Sequence, residues 1–298
     1  MTLRVGVHPN NLHLQIAALA WSHAEERGFS FVPYAEGRAT GQLIADGAID
    51  IGGTGSTPPL LAQVNGVALA YVAASAPRSA NGAIVVRAGG GIRHVTDLAG
   101  KRIALLDGSF HTYFLAAALE AEGLSLRDLI RVELTSAASQ AALRDGSVDA
   151  WIAMEPALSQ IRNDPTYEVL SAIGKLIPNR SVFWASRVAL ETHAAAVRHL
   201  LRDLSALGAE IARDPRPFAG LLADARIGSS SVQTWRDALS RRDWSLHPAD
   251  DTVLDEQQDE ADTLFRHGDF FVAINVRQAS FSLRGIVDDL IQSRQSPS

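Results

Sequence analysis

Two short stretches carry the residue types from which an oxyanion site can be built. In Thr54-Gly55-Ser56-Thr57-Pro58-Pro59 the glycine permits tight backbone geometry, Ser56 or Thr57 can cap a following helix, and either proline suits its first turn. The start of a helix presents unpartnered N–H groups and a partial positive charge, which together attract an oxyanion. Gly108-Ser109-Phe110-His111-Thr112 predicts a second helix start, with the Ser109 and Thr112 hydroxyls beside the backbone donors. For each stretch the plainer reading is an ordinary cap facing solvent. Neutral donors at two helix ends could grip one anion without a buried lysine. Hydrogen bonds to a charged group contribute about 1.5–3 kcal/mol each.

Other candidates lie elsewhere in the chain. Asn10 and Asn11 follow a predicted strand and either bind ligand or shape a turn. Glu155 either meets a ligand cation or hydroxyl or serves as a helix-start carboxylate. Trp151 and Trp184 either line the apolar part of a cleft or pack a core. The nine histidines include no His-x-x-x-His pair, so no metal site is read. There is no Gly-x-Gly-x-x-Gly, Walker loop or Gly-x-Ser-x-Gly, and no catalytic set or cofactor is expected. The chain has no cysteine, which removes disulfides, thiolate catalysis and thiolate metal sites together.

The elements that must position these loops follow from the apolar spacing. Leu3–Val7 predicts a first strand, and Leu12, Ile16 and Leu19 fall on one face of a helix that ends by Gly28. Strands over 29–34 and 49–53 flank a helix around 42–45. The same order recurs as a strand at 102–106, a helix at 111–122, a strand at 130–134 and a helix at 136–144. Asp46-Gly47-Ala48-Ile49-Asp50, then Pro58-Pro59-Leu60-Leu61-Ala62-Gln63, matches Asp145-Gly146-Ser147-Val148-Asp149, then Pro156-Ala157-Leu158-Ser159-Gln160. Each copy reads as helix, Asp-Gly turn, buried strand, loop and proline-led helix.

The alternation implies an α/β chain of two similar lobes with mainly parallel sheets. Ligands of open α/β sheets sit beyond the carboxyl ends of the strands. The loops at 8–11, 54–57, 108–112 and 153–155 would therefore share one cleft. The remainder is helical, at 190–213, 232–240 and 254–265, with a polar tail at 293–298. A length of 298 residues suffices for two lobes with separate cores. A net charge of −6 argues against a nucleic-acid surface, and no apolar run could span a bilayer.

These features together resemble the aliphatic-sulfonate, taurine and nitrate binding proteins of ABC importers, over nearly the whole chain. The resemblance is carried by Thr54-Gly55-Ser56-Thr57-Pro58-Pro59, Leu98-Ala99-Gly100-Lys101-Arg102-Ile103-Ala104, Gly108-Ser109 and Gly146-Ser147-Val148-Asp149-Ala150-Trp151. Asp243-Trp244-Ser245-Leu246, Gln257-Gln258 and Asn275-Val276-Arg277 extend it. It implies a type II periplasmic-binding-protein fold, hinge closure, and crossings between lobes near 75–81 and 179–185. Residues 1–78 and 182–298 would form one lobe and 79–181 the other.

The sequence departs from that family where Ser56, Phe110 and Glu155 stand in place of aspartate, asparagine and aspartate. Phe110 adds apolar bulk, which points to an aromatic or longer ligand. The resemblance implies a monomer that binds a small anionic ligand and, if exported, the membrane subunits of an importer. It would be periplasmic if a leader was removed, and cytoplasmic if Met1 is the native start. The rival reading is an enzyme on the same fold, similar to aromatic sulfinate desulfinases or thiamin pyrimidine synthases, or else a cytoplasmic sensor. Both enzyme types use cysteine, so His8 or His111 would be the first acid–base candidates.

Overall fold

The computed structural model describes residues 2–288 and 290. The polar tail expected at 293–298 lies outside them. The chain begins β1 Leu3–Val7, α1 Leu12–Ala20, β2 Phe29–Pro33, α2 Thr40–Ala45, β3 Ile51–Thr54, α3 Thr57–Val64 and β4 Leu69–Ser75. Then come β5 Gly82–Arg87, β6 Arg102–Leu105, α4 Phe110–Glu120, β7 Ile130–Glu133, α5 Ser136–Asp145, β8 Ala150–Met154, α6 Ala157–Ile161 and β9 Tyr167–Ala172. The last part holds β10 Val182–Ser186, α7 Arg187–Thr192, α8 Ala194–Arg213, α9 Arg216–Asp224, α10 Val232–Ser240, β11 Leu246–Pro248 and α11 Asp251–Arg266. The single helix expected over 190–213 is two helices, because His193 leaves the helical region at φ −126° and ψ 22°.

Two sheets result, one ordered β11-β4-β10-β3-β1-β2 and the other β7-β6-β8-β5-β9. The expected parallel pairing joins β1 to β2 and β3, and β6 to β7 and β8. The other ladders are antiparallel, so both sheets are mixed rather than mainly parallel. The reason is where the chain crosses. It leaves the first sheet at Ser75 and enters the second at Gly82, which pairs with Met154 at the carboxyl end of β8. It leaves again after Ala172 and returns at Val182, which pairs with Thr54 at the carboxyl end of β3. A strand entered from the carboxyl edge must run back against its neighbour. The second crossing is therefore 173–181, earlier than expected.

The repeated Asp-Gly turns are built alike. Asp50 accepts from the Arg4 backbone N–H at 2.7 Å and from its Nε at 3.0 Å, while Arg4 Nη1 donates to the Gly47 carbonyl. Asp149 accepts from the Arg102 backbone N–H at 2.8 Å and from its Nε at 3.1 Å, while Arg102 Nη2 donates to the Gly146 carbonyl. Each clasp ties the turn before a buried strand to the strand beside it. The arginine is the third partner, which the matched sequences did not include.

The cores are not separate. One apolar cluster covers the first sheet with α1 and α8, and another fills the second sheet around Trp151 and Leu158. A third runs from Leu60 and Tyr71 through Val253 and Leu264 of α11 to Phe114 and Ile103 in the second half. It is continuous because α11 packs against both α3 and α4.

Within that cluster Glu260 is buried, with Thr57 Oγ1 donating to its Oε1 at 2.5 Å and no cation beside it. Burial raises its carboxyl to about 7 from an ordinary 4.5. A raised acid holds a proton that the unfolded chain releases, so stability falls as pH rises from the unfolded to the folded value and then levels off. Glu260→Gln should raise the melting temperature at pH 8 and leave it nearly unchanged at pH 4.5, a difference worth up to about 3 kcal/mol. Buried His8, His13 and His111, with lowered pKa values, instead lose stability below their ordinary 6.5, in both proteins alike. Thermal melts of the two proteins across that range would show equal offsets at both pH values if the Glu260 carboxyl stayed charged.

Candidate functional site

The loop at 8–11 lies against β3 at Gly53, and the loops at 54–57 and 108–112 approach each other at Gly55 and Phe110. Asn11 caps α1, its Oδ1 accepting from the Leu14 N–H at 3.1 Å. Its Nδ2 has no hydrogen-bond partner although the residue is 1% exposed. The amide lies against Gly53, where a Cβ would stand 2.3 Å from Nδ2, so this strand position takes glycine. Asn10 is exposed in the turn before the helix. His8 is buried and neutral, its pKa lowered to about 4 by burial, and its Nε2 donates to the Gly53 carbonyl at 2.9 Å. The Nδ1 lone pair is left without a donor.

The Thr54 and Thr57 hydroxyls of the second loop are taken up by the chain itself. Thr54 Oγ1 donates to the Gly55 carbonyl at 2.7 Å and accepts from Trp184 Nε1 at 3.0 Å. Trp184 is fully buried on β10, as a core residue. Neither Ser56 nor Thr57 caps α3 through its side chain; Thr57 is the first helical residue and donates to Glu260. Gln257 Nε2 donates to the Ser56 carbonyl at 2.8 Å, so α11 covers this helix start. The expected anion seat at Thr57 is thus already faced by the chain's own carboxyl group.

The third loop closes on itself in the same way. Ser109 caps α4, its Oγ accepting from the His111 N–H at 3.2 Å and donating to the Leu106 carbonyl at 2.6 Å. Thr112 Oγ1 donates to Asp107 Oδ1 at 2.9 Å. Gly108 has φ +66° and a virtual Cβ only 3.2 Å from Leu61 of the other half, so both strain and contact favour glycine. Phe110 is buried, its ring 3.8 Å from where a Cβ on Gly55 would stand and 3.3 Å from that of Gly82. His111 is held neutral, with its pKa lowered to about 3 by burial. Its Nδ1 accepts from the Leu106 N–H at 3.2 Å, so Nε2 carries the hydrogen and has no acceptor.

In the fourth loop Glu155 serves its own helix. Its carboxylate accepts from the Ser159 N–H at 3.0 Å and from Arg162 Nη1 at 2.6 Å. Trp151 is core.

The junction between the halves holds what the sequence reading did not find. Arg78, in the first crossing, is 6% exposed, and its Nε and Nη2 donate to the carbonyl and Oδ1 of Asn179 in the second crossing at 2.7 and 2.9 Å. Its guanidinium lies 5.9 Å from the Phe110 ring centre. Arg242, after α10, donates from Nη2 to His13 Nδ1 and to Ser181 Oγ, both at 3.3 Å, and stacks 4.7 Å from the Trp244 ring centre. Its Nε is buried without a partner. His13 Nε2 donates to the Trp244 carbonyl at 3.2 Å, and burial together with the two arginines lowers its pKa to about 3.

Burial, and Arg242 close by, pull Arg78 well below its ordinary value, and burial lowers Arg242 to about 10. Both stay charged at neutral pH. Neither meets a carboxylate among the described residues. One signal for Arg78 was available: it lies in the segment expected to cross between lobes, beside Pro77, after a long apolar run. Asn179 and Ser181 likewise lie in the second expected crossing, at 179–185, while His13 and Arg242 gave no signal, being brought in from distant parts of the chain.

Known proteins share this architecture. The E. coli K12 aliphatic sulfonates-binding protein is 27% identical over 280 residues, covering 93% of this chain and 87% of that one. The alkanesulfonate-binding protein SsuA of Xanthomonas axonopodis pv. citri, solved bound to MOPS, superposes with a TM-score of 0.83 at 27% identity, covering 94% of this chain and 98% of that one. The periplasmic aliphatic sulphonate binding protein SsuA of Escherichia coli gives 0.86 at 26% identity, covering 94% and 92%. The NMT1/THI5 like family matches residues 29–215, more than half of the sequence, and the chain belongs to that family.

Proposed function

We propose that this chain is a substrate-binding protein that captures a small organic oxyanion, a sulfonate, between its two halves for delivery to an ABC importer. The observation that carries the reading is a surplus of buried donors at the junction. Asn11 Nδ2, Asn81 Nδ2, His111 Nε2 and Arg242 Nε are buried N–H groups with no acceptor among the described residues. An unmet buried donor costs about 1–3 kcal/mol. A ligand rich in acceptor oxygens removes that cost for several donors at once, and a sulfonate offers three oxygens and a charge that persists across biological pH. The relatives that match along nearly the whole chain bear sulfonate-binding names, which favours this ligand class over other oxyanions.

In this reading residues 1–78 with 182–298 form one lobe and 79–181 the other, and closure brings the loops around Asn11, Gly55 and Phe110 onto the ligand. The protein acts in the periplasm as a monomer, and its macromolecular partners are the membrane subunits of the importer. Phe110 supplies an apolar wall for the organic part of the ligand. Ser109, Thr112 and Thr54 shape the loops, their hydroxyls being engaged within the chain.

Two measurements test this. A thermal-shift series with alkyl and aryl sulfonates, sulfate, nitrate and carboxylates should show stabilisation by sulfonates, about 2.7 kcal/mol at a hundredfold excess over Kd. Absence of any shift with every anion would remove the proposal. Asn11→Asp keeps a good N-cap and places a carboxylate where a donor stood. Like charges ~4 Å apart repel by roughly 4 kcal/mol at an effective dielectric of 20. Calorimetry should therefore find a folded protein with sulfonate affinity reduced at least about 100-fold. Unchanged affinity would move the anion away from Asn11.

A further inference from the structure

We infer that Arg78 and Arg242 together are the counter-charge for the ligand's anionic head, the ligand supplying the negative partner that the chain withholds from both. The inference rests on the anion-capture reading above and assigns the charge within it.

The contrast with neighbouring arginines is selective. Arg180, in the same crossing as Asn179, has Glu256 at 2.5 Å, and Arg162 has Glu155 at 2.6 Å. Each of these stands closer to water than Arg78, yet each has a carboxylate. Arg78, the more buried, and Arg242 face each other's charge and otherwise only neutral groups among the described residues. Two like charges, Arg78 buried and Arg242 partly so, are unfavourable together. A structural role would be met better by an apolar or amide side chain, so retention of both charges points to a ligand.

The neutral neighbours hold the guanidinium groups without neutralising them. Asn179 takes Nε and Nη2 of Arg78, and Nη1 makes no hydrogen bond among the described residues. Arg242 is held from Nη2 by His13 and Ser181, and its Nε remains open. His13 is fixed as the acceptor because its Nε2 hydrogen goes to the Trp244 carbonyl. Asn11, with its own open donor, is linked to this group through Gly53 and Phe183, whose ring is 5.9 Å from His13. The result is two positive groups with open N–H edges and a neutral amide donor near them. The chemistry matches a head that is fully ionised and has three acceptor oxygens, such as a sulfonate or sulfate ester, with its organic part toward Phe110.

Titration calorimetry with butanesulfonate, repeated with MOPS, on the whole protein and on Arg78→Gln and Arg242→Gln tests this. Each variant should bind at least about 100-fold more weakly, the size expected when one member of a buried charge pair is removed. The ligand-free melting temperature of Arg242→Gln should stay level or rise, because a partly buried like charge has gone, whereas Arg78→Gln also loses its two bonds to Asn179 and is judged on affinity. A merely structural arginine would give the reverse, a lower melting temperature with affinity kept. If the native protein binds butanesulfonate and both variants bind it within about threefold of native, the counter-charge assignment is wrong while sulfonate capture stands. Loss in one variant alone overturns the pair and leaves a single anchor. If the native protein binds neither probe nor sulfate, the capture reading fails first. Should Arg78→Gln not fold, Arg78→Lys serves in its place. It keeps the charge but loses the two-point grip on Asn179, and it should bind more weakly than native and more tightly than Arg242→Gln.

Discussion

The chain has to pass twice between its sheets, and one buried guanidinium holds the two passages together. Arg78 in the first crossing donates twice to Asn179 in the second, and the Arg78 backbone N–H donates to the Pro178 carbonyl at 3.1 Å. Asn179 sits in the left-handed region at φ 48°, a conformation that asparagine tolerates better than most residues and that turns its carbonyl and side chain toward the arginine. Ser75 and Ser181 extend the join, with the Ser75 N–H donating to the Ser181 carbonyl at 2.8 Å and Ser75 Oγ accepting from the Ser181 N–H at 2.9 Å. These bonds fix where β4 ends and β10 begins. They therefore fix the antiparallel return of β10 and the position of every loop at the carboxyl edge.

Around that join the two halves are tied unequally. On the side of α11 they share an apolar cluster and Glu256 pairs with Arg180, so relative motion there would expose core. Other ties include single hydrogen bonds, such as Arg241 Nη1 donating to Ser159 Oγ at 3.0 Å, and ion pairs between largely exposed side chains, such as Arg38 with Glu133 at 2.5 Å, which contribute little. A firm attachment beside the crossings and weak contacts elsewhere are what a hinge needs. Opening and closing about the crossings would leave each Arg–Asp clasp intact, because both clasps lie within one sheet.

Charge, rather than helix ends, dominates the junction. The helix starts expected to hold an anion are served by the protein itself: Ser109 caps α4, and α11 brings Gln257 and Glu260 to the start of α3. Unpartnered backbone donors at a helix start are satisfied by whatever lies nearest, and here the chain supplies it. The guanidinium groups, by contrast, are surrounded by amides, hydroxyls and a neutral imidazole. Those groups orient a positive charge without cancelling it.

The sequence alone determined the α/β class and the duplication. These rest on local rules: apolar spacing, the Asp-Gly turns that Arg4 and Arg102 clasp, and the proline-led helix starts. It also placed Asn11, Ser109 and Phe110 between a strand and a helix, where Asn11 and Ser109 cap their helices and Phe110 opens α4. Only the tertiary structure decided which donors stay free. Thr57 reads as an open hydroxyl until α11, about two hundred residues later, places Glu260 against it. Arg78 and Arg242 belong to no motif of the sequence, and only the fold gathers them beside His13, Asn179 and Ser181. Burial and partnership between distant residues are sums over the whole chain, and no local pattern encodes them.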